Sequence, residues 1–165
     1  MKSSSIAIAV TLVLAASATM RPTDAQAAIS ASNAVGACLG NSPAADANLR
    51  ERPLGVRNEG ATAVFVSCAA QWGYNPNAVF DVSIVLTNTN AQAVDVACTL
   101  VDGVLDTVRY LPKTLSIAAT SIDQIAWRYT DYNNLSFSGY ENVSCNLPPG
   151  VEINMVGFGY GSDPF

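Results

Sequence analysis

The sequence contains no histidine. Histidine is the usual general base near neutral pH and a leading nitrogen ligand for transition metals, so its absence excludes the Ser-His-Asp triad, the Cys-His dyad and His-ligated zinc. Charge is scarce as well: 8 Lys and Arg stand against 13 Asp and Glu, a net charge of -5 with 13% of residues charged. The few basic residues are scattered, and counterion release requires clustered cations. A nucleic-acid partner, or an anionic membrane held by a basic patch, is therefore excluded. Sustained helical spacing of apolar residues with caps at both ends is missing too, which confines helix to a turn within residues 28–48. What is abundant is apolar surface. Half of the 165 residues are hydrophobic, which rules out a disordered chain and fits one globular domain.

The amino terminus reads as an export signal. Lys2 and a short polar stretch precede the apolar run Ile6–Ala16, which is too short to cross a bilayer. The small-x-small pattern Ala25-Gln26-Ala27 places cleavage before Ala28, with Ala16-Ser17-Ala18 as a competing site. The expected organisation is a signal peptide over 1–27 and a single domain over 28–165, delivered to the periplasm or the extracellular medium without membrane insertion. An eight-stranded outer-membrane barrel ending at Phe165 is disfavoured by the cysteines, by Pro164 and by the shortness of the strand patterns.

Cys38, Cys68, Cys98 and Cys145 all lie beyond the cleavage site, and an even number of cysteines in an exported chain implies disulfides. Their spacings are far too wide for the paired ligands of a zinc site. Three of them follow a valine by two positions: Val66-Ser67-Cys68, Val96-Ala97-Cys98 and Val143-Ser144-Cys145. In a strand that spacing puts both side chains on one face, so these thiols belong with the core. Four cysteines allow three connectivities. The settings of Cys98 and Cys145 are alike, and Cys38 needs fastening to the first firm strand, so the expected pairs are Cys38–Cys68 and Cys98–Cys145, with Cys68–Cys98 as the alternative.

From Ala61 onward, short runs rich in Val, Ile, Thr and aromatics alternate with turn signals. Strands are expected near 62–69, 79–87, 93–101, 106–111, 114–119, 122–127, 142–147 and 151–158. Asn88-Thr89-Asn90 reads as a hairpin connection, and Pro148-Pro149-Gly150 forces a turn. The fold class is all-β: a two-sheet antiparallel sandwich, jelly-roll-like or alternatively immunoglobulin-like, with an irregular N-terminal segment lying over a sheet edge.

The order Cys38-x-Gly40, Val66-Ser67-Cys68, Val96-Ala97-Cys98-Thr99-Leu100 and Cys145-Asn146-Leu147-Pro148-Pro149-Gly150 resembles that of a group of small, mostly uncharacterised secreted proteins of Gram-negative bacteria, over most of residues 28–165. The resemblance implies an export-dependent, disulfide-bonded β domain and carries no ligand or functional residue with it.

Little chemistry is on offer. Two carboxylates can suffice for glycoside hydrolysis, and the pairs Asp102 with Asp106 and Asp131 with Glu141 are the candidates, each reading more simply as solvated turn carboxylates. Asp131, Asn133, Asn134 and Glu141 supply hard oxygens for calcium without forming an EF-hand pattern. No cofactor is expected. Asn134-Leu135-Ser136 and Asn142-Val143-Ser144 match the glycosylation acceptor pattern. The positive hint is aromatic: Trp72 and Tyr74 in one loop, and Tyr129, Tyr132, Phe137 and Tyr140 in the connection 128–141. Such rings, flanked by Asn and Asp, suit stacking on sugars, or else plug the ends of the sandwich as core; Trp127 alternates with Ile125 and belongs to the core. The expectation is a non-catalytic domain binding a glycan or cell-envelope component through Trp72, Tyr74, Tyr129, Tyr132 and Tyr140. The alternative is a structural or protein-interaction protein of the cell exterior with no small ligand, and an enzyme ranks third.

Overall fold

A computed structural model describes residues 28–69, 79–134, 137–138 and 140–160. Eleven strands and one helical turn follow in chain order: β1 (Ala28–Asn33), β2 (Cys38–Gly40), α1 (Pro43–Asp46), β3 (Leu49–Arg52), β4 (Gly55–Asn58), β5 (Val64–Ala69), β6 (Val79–Asn88), β7 (Val94–Asp102), β8 (Arg109–Ile117), β9 (Ile122–Arg128), β10 (Glu141–Leu147) and β11 (Val151–Tyr160). They form two antiparallel sheets. One has the order β3-β4-β11-β6-β9, with β1 pairing the far half of β11, and the other the order β2-β5-β10-β7-β8. From β4 to β11 the chain winds through 4-11-6-9 in one sheet and 5-10-7-8 in the other, the double Greek key of a jelly roll rather than an immunoglobulin order.

Alternation builds the core. In β5, Val64, Val66 and Cys68 are buried, and in β7 so are Val96, Cys98 and Leu100; β10 contributes Val143, Cys145 and Leu147. The opposing sheet adds Val82, Ile84 and Leu86 from β6, Ile125 and Trp127 from β9, and Ile153 and Val156 from β11. The valine-to-cysteine spacing therefore points inward as its parity requires. Both disulfides form within the second sheet between residues directly opposite in register, Cys38–Cys68 joining β2 to β5 and Cys98–Cys145 joining β7 to β10.

Three expectations need correction. The N-terminal segment is not irregular: residues 28–58 carry four strands and α1, whose N-cap Ser42 accepts from the Ala45 N–H at 3.2 Å. These strands are too short and too polar to announce themselves by alternation, and they exist because β2 pairs with β5, β1 and β4 with β11, and β3 with β4. The strands expected at 106–111 and 114–119 are one strand, β8, running through Pro112. Proline is tolerated there because β8 is an edge strand and the missing N–H faces no neighbour. Finally, β6 and β7 are not a hairpin, since they lie in different sheets; the hairpin is β7–β8, turning at Gly103 with φ +110°.

Two buried asparagines explain that third correction. Asn88 ends β6, and its amide donates to the carbonyls of Gln92, Ile117 and Ala118 at 2.8–3.1 Å while its Oδ1 accepts the Asn90 N–H. Asn58 ends β4 and repeats the arrangement, donating to Thr62 and Leu147 carbonyls at 2.9 and 2.8 Å and accepting the Gly60 N–H. The sequence repeats with it: Asn58-x-Gly-Ala-x-Ala-Val-x-Val-x-Cys68 answers Asn88-x-Asn-Ala-x-Ala-Val-x-Val-x-Cys98. In both copies the asparagine satisfies backbone groups at the corner where the chain leaves one sheet for the other.

The edges β8 and β9 are fastened to each other. The Trp127 indole donates to the Leu111 carbonyl at 2.7 Å, and Lys113 Nζ donates to the Ala126 carbonyl at 2.6 Å. Each edge thus loses unpaired acceptors that would otherwise invite another strand.

Candidate functional site

The same parity that buries the cysteines turns another set of residues outward. On the outer face of the five-stranded sheet, Phe65 (β5), Asn146 (β10), Ala97 (β7) and Thr114 (β8) form one cross-strand row. Ser67, Ser144, Thr99 and Pro112 form the next, and Asn142, Val101 and Tyr110 the third. Together they line a groove of about 620 Å³. Phe65 and Tyr110 stand at diagonal corners with 53% and 69% of their surface exposed. Three strand spacings and four residues separate them, about 20 Å. Between the rings lie hydroxyls and amides, among them Ser67 Oγ, which donates to Ser144 Oγ at 3.3 Å.

The groove is electrically neutral. Lys113 is the one charged residue in its lining, and its ammonium is drawn away to the Ala126 carbonyl and, at 2.7 Å, to Asp131. That hydrogen bond holds the exposed Asp131 carboxyl below the usual carboxylate range. Such a surface offers neutral donors and acceptors between two flat apolar plates. Its lining holds no carboxylate, histidine or free thiol.

The aromatics singled out from sequence fare differently. Trp72 and Tyr74 lie outside the described residues. Tyr129 and Tyr132 sit half-buried in a 3-10 turn after β9, and the Tyr132 ring packs edge-on against the buried Phe137 with centroids 6.3 Å apart. Burial, aided by Asp131, pushes the Tyr132 phenol upward. Tyr132 thus packs against the core at this end of the domain with part of its surface exposed. Tyr140 is exposed; its carbonyl accepts the Gly103 N–H, which places it two residues beyond Asn142 at the Tyr110 end of the groove.

The candidate carboxylates sit in unlike settings. Asp102 is fully buried rather than solvated, held by the Arg109 guanidinium and the Ser138 N–H. Asp106 is exposed in a 3-10 turn, Glu141 is buried, and Asp131 is engaged by Lys113. Among the described residues no three His, Cys, Asp or Glu side chains converge on a common point, and Asn133 and Asn134 are exposed turn residues at positive φ. Of the two acceptor-pattern asparagines, Asn142 lies in the groove.

No protein-family model and no curated protein matches this sequence. Solved structures do. A xylan-binding module, CBM15, superposes with a TM-score of 0.54 over 84% of this chain and 100% of its own, at 9% identity. The likeness is one of fold. A xylan-binding domain from CBM 22 follows with a TM-score of 0.45, 16% identity and 79% and 90% coverage, and TmCBM61 in complex with beta-1,4-galactotriose with 0.35, 10%, and 80% and 83%.

The groove was legible in principle. Searching loops for exposed rings passes over Phe65 and Tyr110, yet the valine-to-cysteine parity already fixes Phe65, Ser67, Ala97, Thr99, Ser144 and Asn146 on the face opposite the core. What alternation leaves open is which strands stand side by side, and hence that these residues share one surface.

Proposed function

We propose that this chain is an exported, non-catalytic module that binds a neutral glycan along the outer face of its five-stranded sheet. The observation that carries the reading is the hydroxyl- and amide-lined groove between the exposed rings of Phe65 and Tyr110. Sugar rings present apolar C–H faces to aromatic plates and hydroxyls to polar side chains, and this groove supplies both at a separation suited to a short stretch of chain rather than one sugar. With the one lining cation, Lys113, already engaged by the Ala126 carbonyl and Asp131, the groove favours neutral sugars over uronates or phosphorylated glycans. Further support comes from the sheet edges. β8 and β9 are fastened to each other, and β3 carries Arg50, Glu51 and Arg52, so edge-to-edge docking of another protein is discouraged at these three strands.

Export is part of the proposal. Cleavage after Ala27 leaves β1, which begins at Ala28, with the domain, and the two disulfides suit the periplasm or the medium.

The test is affinity electrophoresis of the purified domain through gels containing soluble xylan, mannan, galactan or glucan. Retardation by at least one is expected, with Phe65→Ala and Tyr110→Ala each weakening binding about tenfold, the equivalent of about 1.4 kcal/mol for a lost stacking surface. Both residues project from the sheet into solvent, so their variants should melt close to the parent. Binding untouched by either change would refute the groove as the site.

A further inference from the structure

Resting on the groove reading above, we infer that the bound glycan carries a small methyl-terminated substituent, an O-acyl or O-methyl group, and that Leu39 is the residue that selects for it.

Leu39 is the middle residue of β2, directly opposite Ser67 and diagonal to Phe65. Cys38 points into the core, so Leu39 points outward, onto the same face as the groove, where 68% of it is exposed. A three-residue edge strand ordinarily frays. This one is tied to β5 along its whole length: by the Cys38–Cys68 disulfide, by the Ala69 N–H donating to the Ala37 carbonyl at 2.9 Å, and by the Asn41 N–H donating to the Phe65 carbonyl at 3.0 Å. Leu39 is thereby held beside the Phe65 ring as a continuation of the groove.

The two side chains that flank that corner, Leu39 and Phe65, are apolar and exposed. The Ser67 hydroxyl is committed to Ser144, and the Gly40 N–H donates to Asp46 Oδ1 at 2.6 Å. A bare sugar hydroxyl lying against Leu39 would leave water without a replacement partner, whereas a methyl group there would leave water favourably. The carboxylate of Asp46 at the same corner adds negative charge and disfavours an acidic substituent. Neutral polar contacts along the floor with one apolar corner match a neutral chain bearing an apolar decoration.

The experiment compares matched preparations of xylan, mannan and soluble glucan: chemically acetylated, partially O-methylated, and alkali-deacetylated. Each is run by affinity electrophoresis against the parent domain and Leu39→Ser. The parent is expected to bind the acetylated or the methylated chain about three- to fivefold more tightly than the bare one, roughly the value of one buried methyl group. Which of the two is preferred identifies the substituent. Leu39→Ser should lose that preference, with binding of the substituted chain falling to about that of the bare one. Equal or tighter parent binding of the bare chain would overturn the inference and leave the glycan reading intact. Loss of bare and substituted chains alike in Leu39→Ser would also overturn it. Failure of every preparation to retard the parent would refute the glycan reading itself and this inference with it.

Discussion

Replacing Asn88 with alanine tests whether the jelly-roll corners are held by side chains or merely accompanied by them. Asn88 is fully buried, and its amide shares two hydrogens among three carbonyls, one of them, that of Ile117, in a wholly buried contact. A buried acceptor left without a donor costs about 1 to 3 kcal/mol. One such loss plus two partly buried ones, and the Asn90 N–H set free as well, gives about 3 to 5 kcal/mol for Asn88→Ala. Asn58→Ala strands two carbonyls, those of Thr62 and Leu147, and should cost about 2 to 4 kcal/mol. Against a total stability of about 5 to 15 kcal/mol the first loss is large enough to lower the melting temperature by about 10 °C or more. Urea unfolding of the oxidised protein, followed by tryptophan fluorescence, gives both numbers if the slope of free energy with urea stays constant. Asn88→Asp sharpens the test. It retains the acceptor but sets a carboxylate against three carbonyl oxygens, which raises its folded-state pKa above the unfolded value. Its extra penalty over Asn88→Ala is therefore present at neutral pH and shrinks as pH falls through that raised pKa. A loss below about 1 kcal/mol for Asn88→Ala would mean that water replaces the amide and that the corner is set elsewhere.

Other outcomes follow from the same structure. Tyr132→Ala should destabilise the domain by about 1 to 3 kcal/mol through loss of its packing on Phe137 and leave glycan binding unchanged, which melting and affinity electrophoresis together would show. Burial raises the Asp81 carboxyl above its usual range, so its ionised form weakens the fold: Asp81→Asn should raise the melting temperature at pH 7, and the gain should disappear at pH 3, where Asp81 is protonated in both states. Replacing Cys98 and Cys145 together by serine opens a loop with a sequence separation of 47 and should cost on the order of 4 kcal/mol in the chain-entropy account, measurable by urea titration; a loss under about 1 kcal/mol would refute that account here. Mass spectrometry of the exported protein should find the mature terminus at or within a few residues of Ala28, and an intact Met1 would contradict export by cleavage.

Residue identity and parity alone determined a good deal. The lack of histidine removed whole classes of catalysis, and an even set of widely spaced cysteines, after a stretch that reads as an export signal, implied disulfides. The valine-to-cysteine spacing placed Cys68, Cys98 and Cys145 in the core, where the structure has them, and both pairings agree with the expected ones. All of this is local, because a strand's two faces are fixed by odd and even positions whatever its neighbours are. Neighbours were decided only by the tertiary structure. Asn88-Thr89-Asn90 reads as a hairpin turn from its residues, but the carbonyls that Asn88 satisfies at 117 and 118 come from a strand far along the chain, and they carry β7 into the other sheet. Asp102 reads as a turn carboxylate and is instead buried by Arg109 and Ser138. The groove depends on the same kind of information. Phe65 faces outward by parity, but it shares a surface with Tyr110 only because β10 and β7 lie between β5 and β8, an order set by long-range pairing that no short stretch of sequence encodes.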